Sequence, residues 1–397
     1  MTVASHARPR PAPADPADPA DPRQSSSRAL LRALRGAARA AVPAIAGYLL
    51  VRLVCVGILW HWARSEHQSL LHQLGHKWDS VWYLGIIEHG YDHGHPLQSN
   101  LAFFPLYPEL SRGLAAVSPL GDAATAVALA WLCAIAAAWG LYALGSRLYD
   151  HRTGVVLAVL WGVIPHAITE SMAYTESMFT ALAVWTLHSL LARRWLATAV
   201  LCLLAGLSRP TASALIPVVC LAALIAIVRR QDGWRPWAAL LLAPAGWLGY
   251  LCWAGQRVHR LDGWFHIQND GWGSNWDGGR YTFTTAQQIL THPSDFDYYA
   301  VTVVLTLAAM LFALSLADRQ PWPLLLFSAL LLATSLGGAG FYHAKARFLV
   351  AAFGLLLPPA VALAKARRCT MLIVFSTLTL ISGYFGGYLL LVWNRSP

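Results

Sequence analysis

Charge is scarce in this chain of 397 residues: only 12% are Asp, Glu, Lys or Arg, while 57% are hydrophobic. Soluble domains carry about 25% charged residues, and no soluble core could hide this much apolar surface, so an ordinary soluble enzyme is excluded. Cysteine is thin as well. The six present (Cys55, Cys133, Cys202, Cys220, Cys252 and Cys369) sit in or at the edge of apolar runs, with no CxxC and no metal-ligand spacing. That excludes a disulfide scaffold and a zinc module. No basic stripe is interleaved with aromatics, so the excess of 29 Lys and Arg over 19 Asp and Glu does not indicate a nucleic-acid partner. No internal repeat is visible, and acids are not placed mid-span, which counts against a glycolipid transporter.

Long apolar runs are what the sequence does have. A membrane-crossing helix needs about 20 mostly apolar residues, and runs of that kind cover 42–61, 122–146, 153–169, 174–192, 195–208, 210–228, 236–254, 298–317, 321–337, 348–364 and 370–393. The expected fold is therefore an all-α polytopic membrane protein of about eleven spans. Ahead of them, residues 1–41 read as a disordered cytoplasmic arm whose PADPADPADP repeat cannot bury a core, with a short basic helix over Arg28–Ala40. The arm lacks the apolar segment of a signal peptide.

Short loops carrying Arg147 and Arg152, Arg193 and Arg194, Arg229, Arg230 and Arg235, Arg319, and Lys365, Arg367 and Arg368 alternate with acid-bearing ones. Basic loops face the cytoplasm. The N-terminus is then cytoplasmic, and the long loops 62–121 and 255–297 are extracytoplasmic, in a cell membrane. Asp79, Glu88, Asp92, Glu170, Glu176, Arg209, Lys345 and Arg347 all fall on the outer side, from separate stretches of chain.

The first outer loop reads KWDSVWYLGIIEHGYDHGHPLQSNLAFFPLYPEL. A helix from Trp78 would hold Asp79 at the membrane surface, with tryptophans at headgroup depth. Glu88 follows nine residues later, half a turn out of phase, so the pair does not form a two-carboxylate glycosidase site. One carboxylate suffices when the leaving group is a phosphate: a base takes the proton of an attacking hydroxyl, and cations receive the phosphate. Asp79 fits the base, and Arg209, Lys345 and Arg347 fit the cations.

WD, EHGY nine residues after that Asp, then AFFPLYP, and later AYTESMF (Ala173–Phe179), resemble the GPI mannosyltransferase 2 family and its bacterial relatives, within the C-type glycosyltransferase superfamily. The similarity is strong over 78–108 and 170–180 and elsewhere follows span order; where relatives show an Arg-Ser-Asn type of sequence, this chain has Arg209-Pro210-Thr211. The resemblance implies a fold of the same kind as that superfamily's and transfer of mannose, with inversion, from a polyprenyl-phosphate donor to a hydroxyl of an extracytoplasmic glycolipid or glycan. In the superfamily an acid of the first outer loop is the base, a role that maps onto Asp79. Substrate contacts are expected from Trp78, Glu88, Phe104, Tyr107, Tyr174, Glu176, Trp272 and Trp276. The reading calls for no cofactor and no metal ion.

Plainer roles stand beside these. Asp79 could be a helix N-cap, Glu88 a solvated acid, and Asp92 a turn residue. Glu170 and Glu176 could serve as ion-pair partners of Arg209 or Arg347. His89, His93 and His95 with Asp92 invite a metal, but Gly90, Gly94 and Pro96 break the helix that would align them. FFPLYP reads as a groove wall or an interfacial turn, and WFHIQNDGWGSNWDGGRY (264–281) as a sugar-stacking loop or an interfacial one. The role of Arg52, inside the first span, is open. A transferase of the same fold using another sugar or a protein acceptor is the alternative.

Overall fold

The computed structural model describes residues 22–92 and 98–396. Among them, regular structure is helical apart from one isolated bridge between Trp276 and Gly338. The α-helices are α1 (Pro22–Ser65), α2 (Leu70–Gly75), α3 (Asp79–His89), α4 (Leu106–Ala115), α5 (Asp122–Leu148) and α6 (His151–Trp161). Next come α7 (Glu176–Leu191), α8 (Trp195–Gly206), α9 (Ile216–Val228), α10 (Arg235–Leu242), α11 (Ala245–Arg257) and α12 (Gly263–His266). The last are α13 (Arg280–Thr291), α14 (Phe296–Ala317), α15 (Trp322–Gly337), α16 (Lys345–Phe348), α17 (Leu357–Lys365) and α18 (Arg368–Leu391).

Residues up to Val42 form one unit and Pro43 onward another. In the first unit the backbone is helical from Pro22, which covers the expected basic helix; residues 1–21 of the expected arm lie outside the described residues. The second unit holds the membrane-crossing segments.

Without water, backbone N–H and C=O groups must be paired within the segment, so apolar runs become helices. Six helices among the described residues are long and apolar enough to cross a bilayer; the pair Tyr342–Ala351 and Phe353–Lys365, bent by 74°, is either a broken span or a re-entrant loop. The chain is a multi-pass membrane protein. The runs at 153–169, 174–192, 195–208 and 321–337 form helices of 11, 16, 12 and 16 residues, fewer than the sequence suggested. At 1.5 Å per residue these reach about 17–24 Å, short of a bilayer core of about 30 Å. The remainder includes non-α chain such as 166–175, a 3-10 turn over Ala167–Ser171 followed by bends, buried throughout. Irregular backbone at membrane depth is tolerated only where protein covers it.

Close packing depends on small residues. A Cβ on Gly145 would come within 2.8 Å of Gly154 Cα, so α5 and α6 meet backbone to backbone there. The tight link between them starts α6 with Asp150, whose carboxylate accepts the Thr153 N–H at 2.8 Å.

The basic loops gather at one end of these helices. Arg147 donates to the Leu191 carbonyl at 3.0 Å, Arg152 to the Ala366 carbonyl at 2.7 Å, and Arg193 pairs with Asp232 at 2.9 Å. Glu176 stands at the opposite end of α7 from Leu191, and Arg209 follows the far end of α8 from Arg194. Positive loops and candidate site residues thus occupy opposite ends of the same helices.

Candidate active site

The approach to Asp79 begins at Trp78, whose φ of 56° lies in the left-handed region. For a residue with a Cβ this costs roughly 1–2 kcal/mol and is tolerated where the surroundings over-determine it. Trp78 is the residue preceding α3, so Asp79 is the first helical residue and not an N-cap. Its N–H donates to the Tyr174 hydroxyl at 3.1 Å, and its carboxylate points elsewhere.

That carboxylate meets Arg347: Asp79 Oδ2 lies 2.8 Å from Arg347 Nη1. Arg347 Nε lies 3.4 Å from Glu176 Oε1, and the same oxygen lies 2.6 Å from Arg209 Nη1. Four charges from four parts of the chain form one chain of ion pairs with zero net charge. The Arg347 guanidinium also stands 5.3 Å from the centre of the Tyr174 ring and 5.4 Å from that of Phe348. Asp79 keeps 23% of its side chain exposed and Glu176 only 3%, which separates them: one opens to the cavity, the other is a buried counter-ion.

The cavity measures about 770 Å³ and is lined by Trp78, Asp79, Trp82, Phe104, Arg209, Trp272, Arg347 and Arg395 among others. Its aromatic wall is built from the FFPLYP stretch. Phe103 stacks on Trp82 at 5.8 Å and meets Trp272 edge-on at 5.4 Å. Phe104 packs on Tyr250 at 4.5 Å. Leu106 N–H donates to the Leu207 carbonyl at 2.9 Å, fastening this stretch two residues before Arg209. Tyr83 bonds to Thr175 at 3.1 Å, and burial holds its phenol well above the ordinary range, so it stays neutral. Phe341, φ 46°, is a second lining residue in the left-handed region.

Not every expected residue reaches the cavity. Lys345 Nζ donates to the carbonyls of Ser335, at 2.8 Å, and Gly338, at 2.5 Å, closing the end of α15. Two residues on, Arg347 turns the other way into the cavity, because neighbours two apart on a helix face different sides. Glu88 is exposed beside His89, Tyr107 is buried with its hydroxyl on the Ala126 carbonyl at 2.7 Å, and Trp276 lies over Gly337. None of these three lines the cavity. Tyr174 lies under Arg347 without lining it.

Asp92 and Asn100 exchange bonds at 2.9 and 3.0 Å, the turn role expected of Asp92. His93 and His95 lie outside the described residues, and no group of metal-binding side chains occurs among the described ones. Glu170 does not pair with Arg209 or Arg347. It accepts the Tyr48 hydroxyl at 3.0 Å and lies 4.0 Å from Arg52, which donates to Ser171 Oγ at 2.9 Å and to the Gly162 carbonyl at 3.2 Å. Arg52 thereby has its role: it ties the first span to the turn that leads into Glu176.

Sequence reasoning missed Arg395, His343, Gln98 and Gln268, all of which line the cavity. Only Arg395 carried a signal, as a lone cation just past the last apolar run.

No protein-family model and no curated protein matches this chain. Among solved structures, it is similar to the Archaeoglobus fulgidus oligosaccharyltransferase in its apo form, at 13% identity and a TM-score of 0.48 over 86% of this chain. The same enzyme tethered to an acceptor peptide containing the NVT sequon matches at 13% identity and a TM-score of 0.47, over 88% of this chain. Its complex with Zn and sulfate matches at 14% and 0.46, also over 88%. The chain covers only 56%, 56% and 53% of those structures, little more than half. Likeness of this degree assigns no activity.

Proposed function

We propose that this protein is an inverting glycosyltransferase that moves a sugar, mannose by the family resemblance, from a polyprenyl-phosphate donor to a hydroxyl of a glycolipid or glycan. The observation that carries the reading is the pairing of a part-exposed carboxylate, Asp79, with a guanidinium, Arg347, at the wall of an aromatic cavity. The basic loops gather at the other end of the helices. Basic loops favour the cytoplasmic side, which supports an extracytoplasmic cavity.

At rest the Asp79 carboxylate is engaged by Arg347, with Oδ2 2.8 Å from Nη1. A donor phosphate competes for the same guanidinium, which matches phosphate oxygens in a bidentate fork. Its arrival frees Asp79 at the moment when the donor is in place. Asp79 then takes the proton from the acceptor hydroxyl, whose oxygen attacks the anomeric carbon from the face opposite the phosphate. The bond from that carbon to the phosphate oxygen breaks, and its electron pair leaves with the polyprenyl phosphate onto Arg347 and Arg209. Glu176 keeps both guanidinium groups fixed through the single oxygen they share. Trp272, Trp82 and Phe104 supply flat apolar surfaces of the kind on which a pyranose stacks.

The test is transfer by the purified protein in lipid nanodiscs, with labelled polyprenyl-phosphate mannose or glucose and a panel of extracytoplasmic glycolipid acceptors. Label moving from the mannose donor, with inverted configuration, is the expected result. Transfer from the glucose donor alone overturns the sugar assignment, and transfer from neither overturns the reading.

A further inference from the structure

The charges around the cavity do not all cancel. Arg347 and Arg209 are neutralised by Asp79 and Glu176, two cations against two anions. Arg395 also lines the cavity, together with Asn394 and Ser396. Its contacts are neutral: it donates to the Tyr298 hydroxyl, and its guanidinium lies 5.7 Å from the centre of the Tyr298 ring and 5.9 Å from that of Trp393. It forms no ion pair among the described residues; Asp295 lines a smaller pocket beside it without pairing. His343 stands on the same wall, within electrostatic range of both Arg395 and Arg347. The Arg395 side chain is exposed, so its charge faces water at the cavity mouth.

An incoming phosphate that takes the Arg347 Nη1 facing Asp79 must displace that carboxylate. The Arg347 and Arg209 guanidinium groups are mostly buried, and breaking such pairs is costly unless a replacement anion is already at hand. Arg395 needs no such displacement. With its guanidinium set against two aromatic rings and one of its five N–H groups used, it is oriented and still has free donors.

We infer that Arg395 is the cation that first takes the donor phosphate and presents it to Arg347, so that the exchange at Asp79 begins only with substrate in the cavity. This rests on the function proposed above and adds to it a specificity-determining residue and a charge rule. Arg209, Arg347 and Arg395 on the cavity wall outnumber Asp79 and its neighbour Glu176 by one, with Asp297 off the wall but within electrostatic range of Arg395; a phosphodiester carries a single negative charge.

The test uses the full-length protein in nanodiscs with two probes of equal chain length, undecaprenyl phosphate and undecaprenol. Wild type is expected to bind the phosphate more tightly than the alcohol. Arg395→Gln is expected to weaken phosphate binding by ~10–100-fold, the loss of one charge-assisted hydrogen bond. Undecaprenol binding should not change, which also reports that the variant is folded. Arg395→Lys is expected to recover part of the loss, since it restores the charge without the fork. In the transfer assay Arg395→Gln is expected to raise KM for the donor with kcat within about three-fold of wild type, the mark of lost ground-state binding. If Arg395→Gln binds the phosphate as wild type does, while wild type still prefers phosphate to alcohol, this inference fails and the proposed function stands. If wild type binds both probes equally, the phosphate reading of the whole cavity fails.

Discussion

Asp79→Asn and Glu176→Gln remove the same charge from the two sides of one guanidinium, yet they are expected to fail in different ways. Asp79 has 23% of its side chain exposed and makes one ion pair, at 2.8 Å. In the Asn variant Arg347 keeps Glu176 at 3.4 Å. Arg347 is 6% exposed but keeps a buried counter-ion in Glu176, so the loss of folding stability should be well below the about 3–5 kcal/mol of an orphaned buried charge. Loss of a positioned base costs about 10²–10⁴ in rate, or roughly 2.7–5.5 kcal/mol on the barrier at about 1.36 kcal/mol per decade. Glu176, by contrast, is 3% exposed and its Oε1 holds two guanidinium groups. Its loss leaves two mostly buried cations with one remaining anion, a penalty of about 3–5 kcal/mol, which should lower the melting temperature by on the order of 10 °C. Thermal melts followed by tryptophan fluorescence, run beside single-turnover transfer, separate the two effects. The base assignment is wrong if Asp79→Asn melts normally and keeps more than about a tenth of wild-type turnover, less than the loss a base implies. If it melts as early as Glu176→Gln, the Asp79–Arg347 pair is a fastening of the fold instead.

Lys345→Met is expected to destabilise the protein, because Nζ holds two carbonyls at the end of α15, each charge-assisted bond being worth about 1.5–3 kcal/mol. KM for the donor should be unmoved in that variant; a large rise would put the ammonium back at the phosphate. Trp272→Ala should raise KM by about ten-fold through lost stacking and burial, while Trp276→Ala, outside the cavity, should leave it within error. Equal effects from the two would show that the aromatic wall does not define the sugar site. Glu170→Gln leaves Arg52 buried without its anion, so a stability loss of about 3–5 kcal/mol is expected. A neutral result in chemical unfolding would show that Tyr48 and Ser171 alone satisfy the cluster.

Hydropathy is a local property, and what depends on it was legible in the sequence: the apolar runs, the breaks between them, and the alternation that sends Asp79, Glu176, Arg209 and Arg347 to one end. The motif spacing likewise marked Trp78 and Phe104, and the composition of the 264–281 loop marked Trp272; all three line the cavity. Helix length was harder to read. The apolar run 153–169 holds a helix only to Trp161, because burial by neighbours lets the chain leave helical geometry where lipid alone would forbid it.

Which partner each charge takes was decided by packing between segments far apart in the chain. Glu170 and Glu176 are six residues apart in one stretch, yet the first goes to Arg52 on the opening span and the second to Arg209 and Arg347. Lys345 and Arg347 look interchangeable as cations ahead of a late apolar run, but a short turn of helix points one at the α15 carbonyls and the other at Asp79. Composition and periodicity determined that this chain crosses a membrane and which residues collect at one end of it. Only the tertiary structure determined which of those residues touch, since a contact depends on the relative rotation and approach of separate helices, and neither is a property of any one segment.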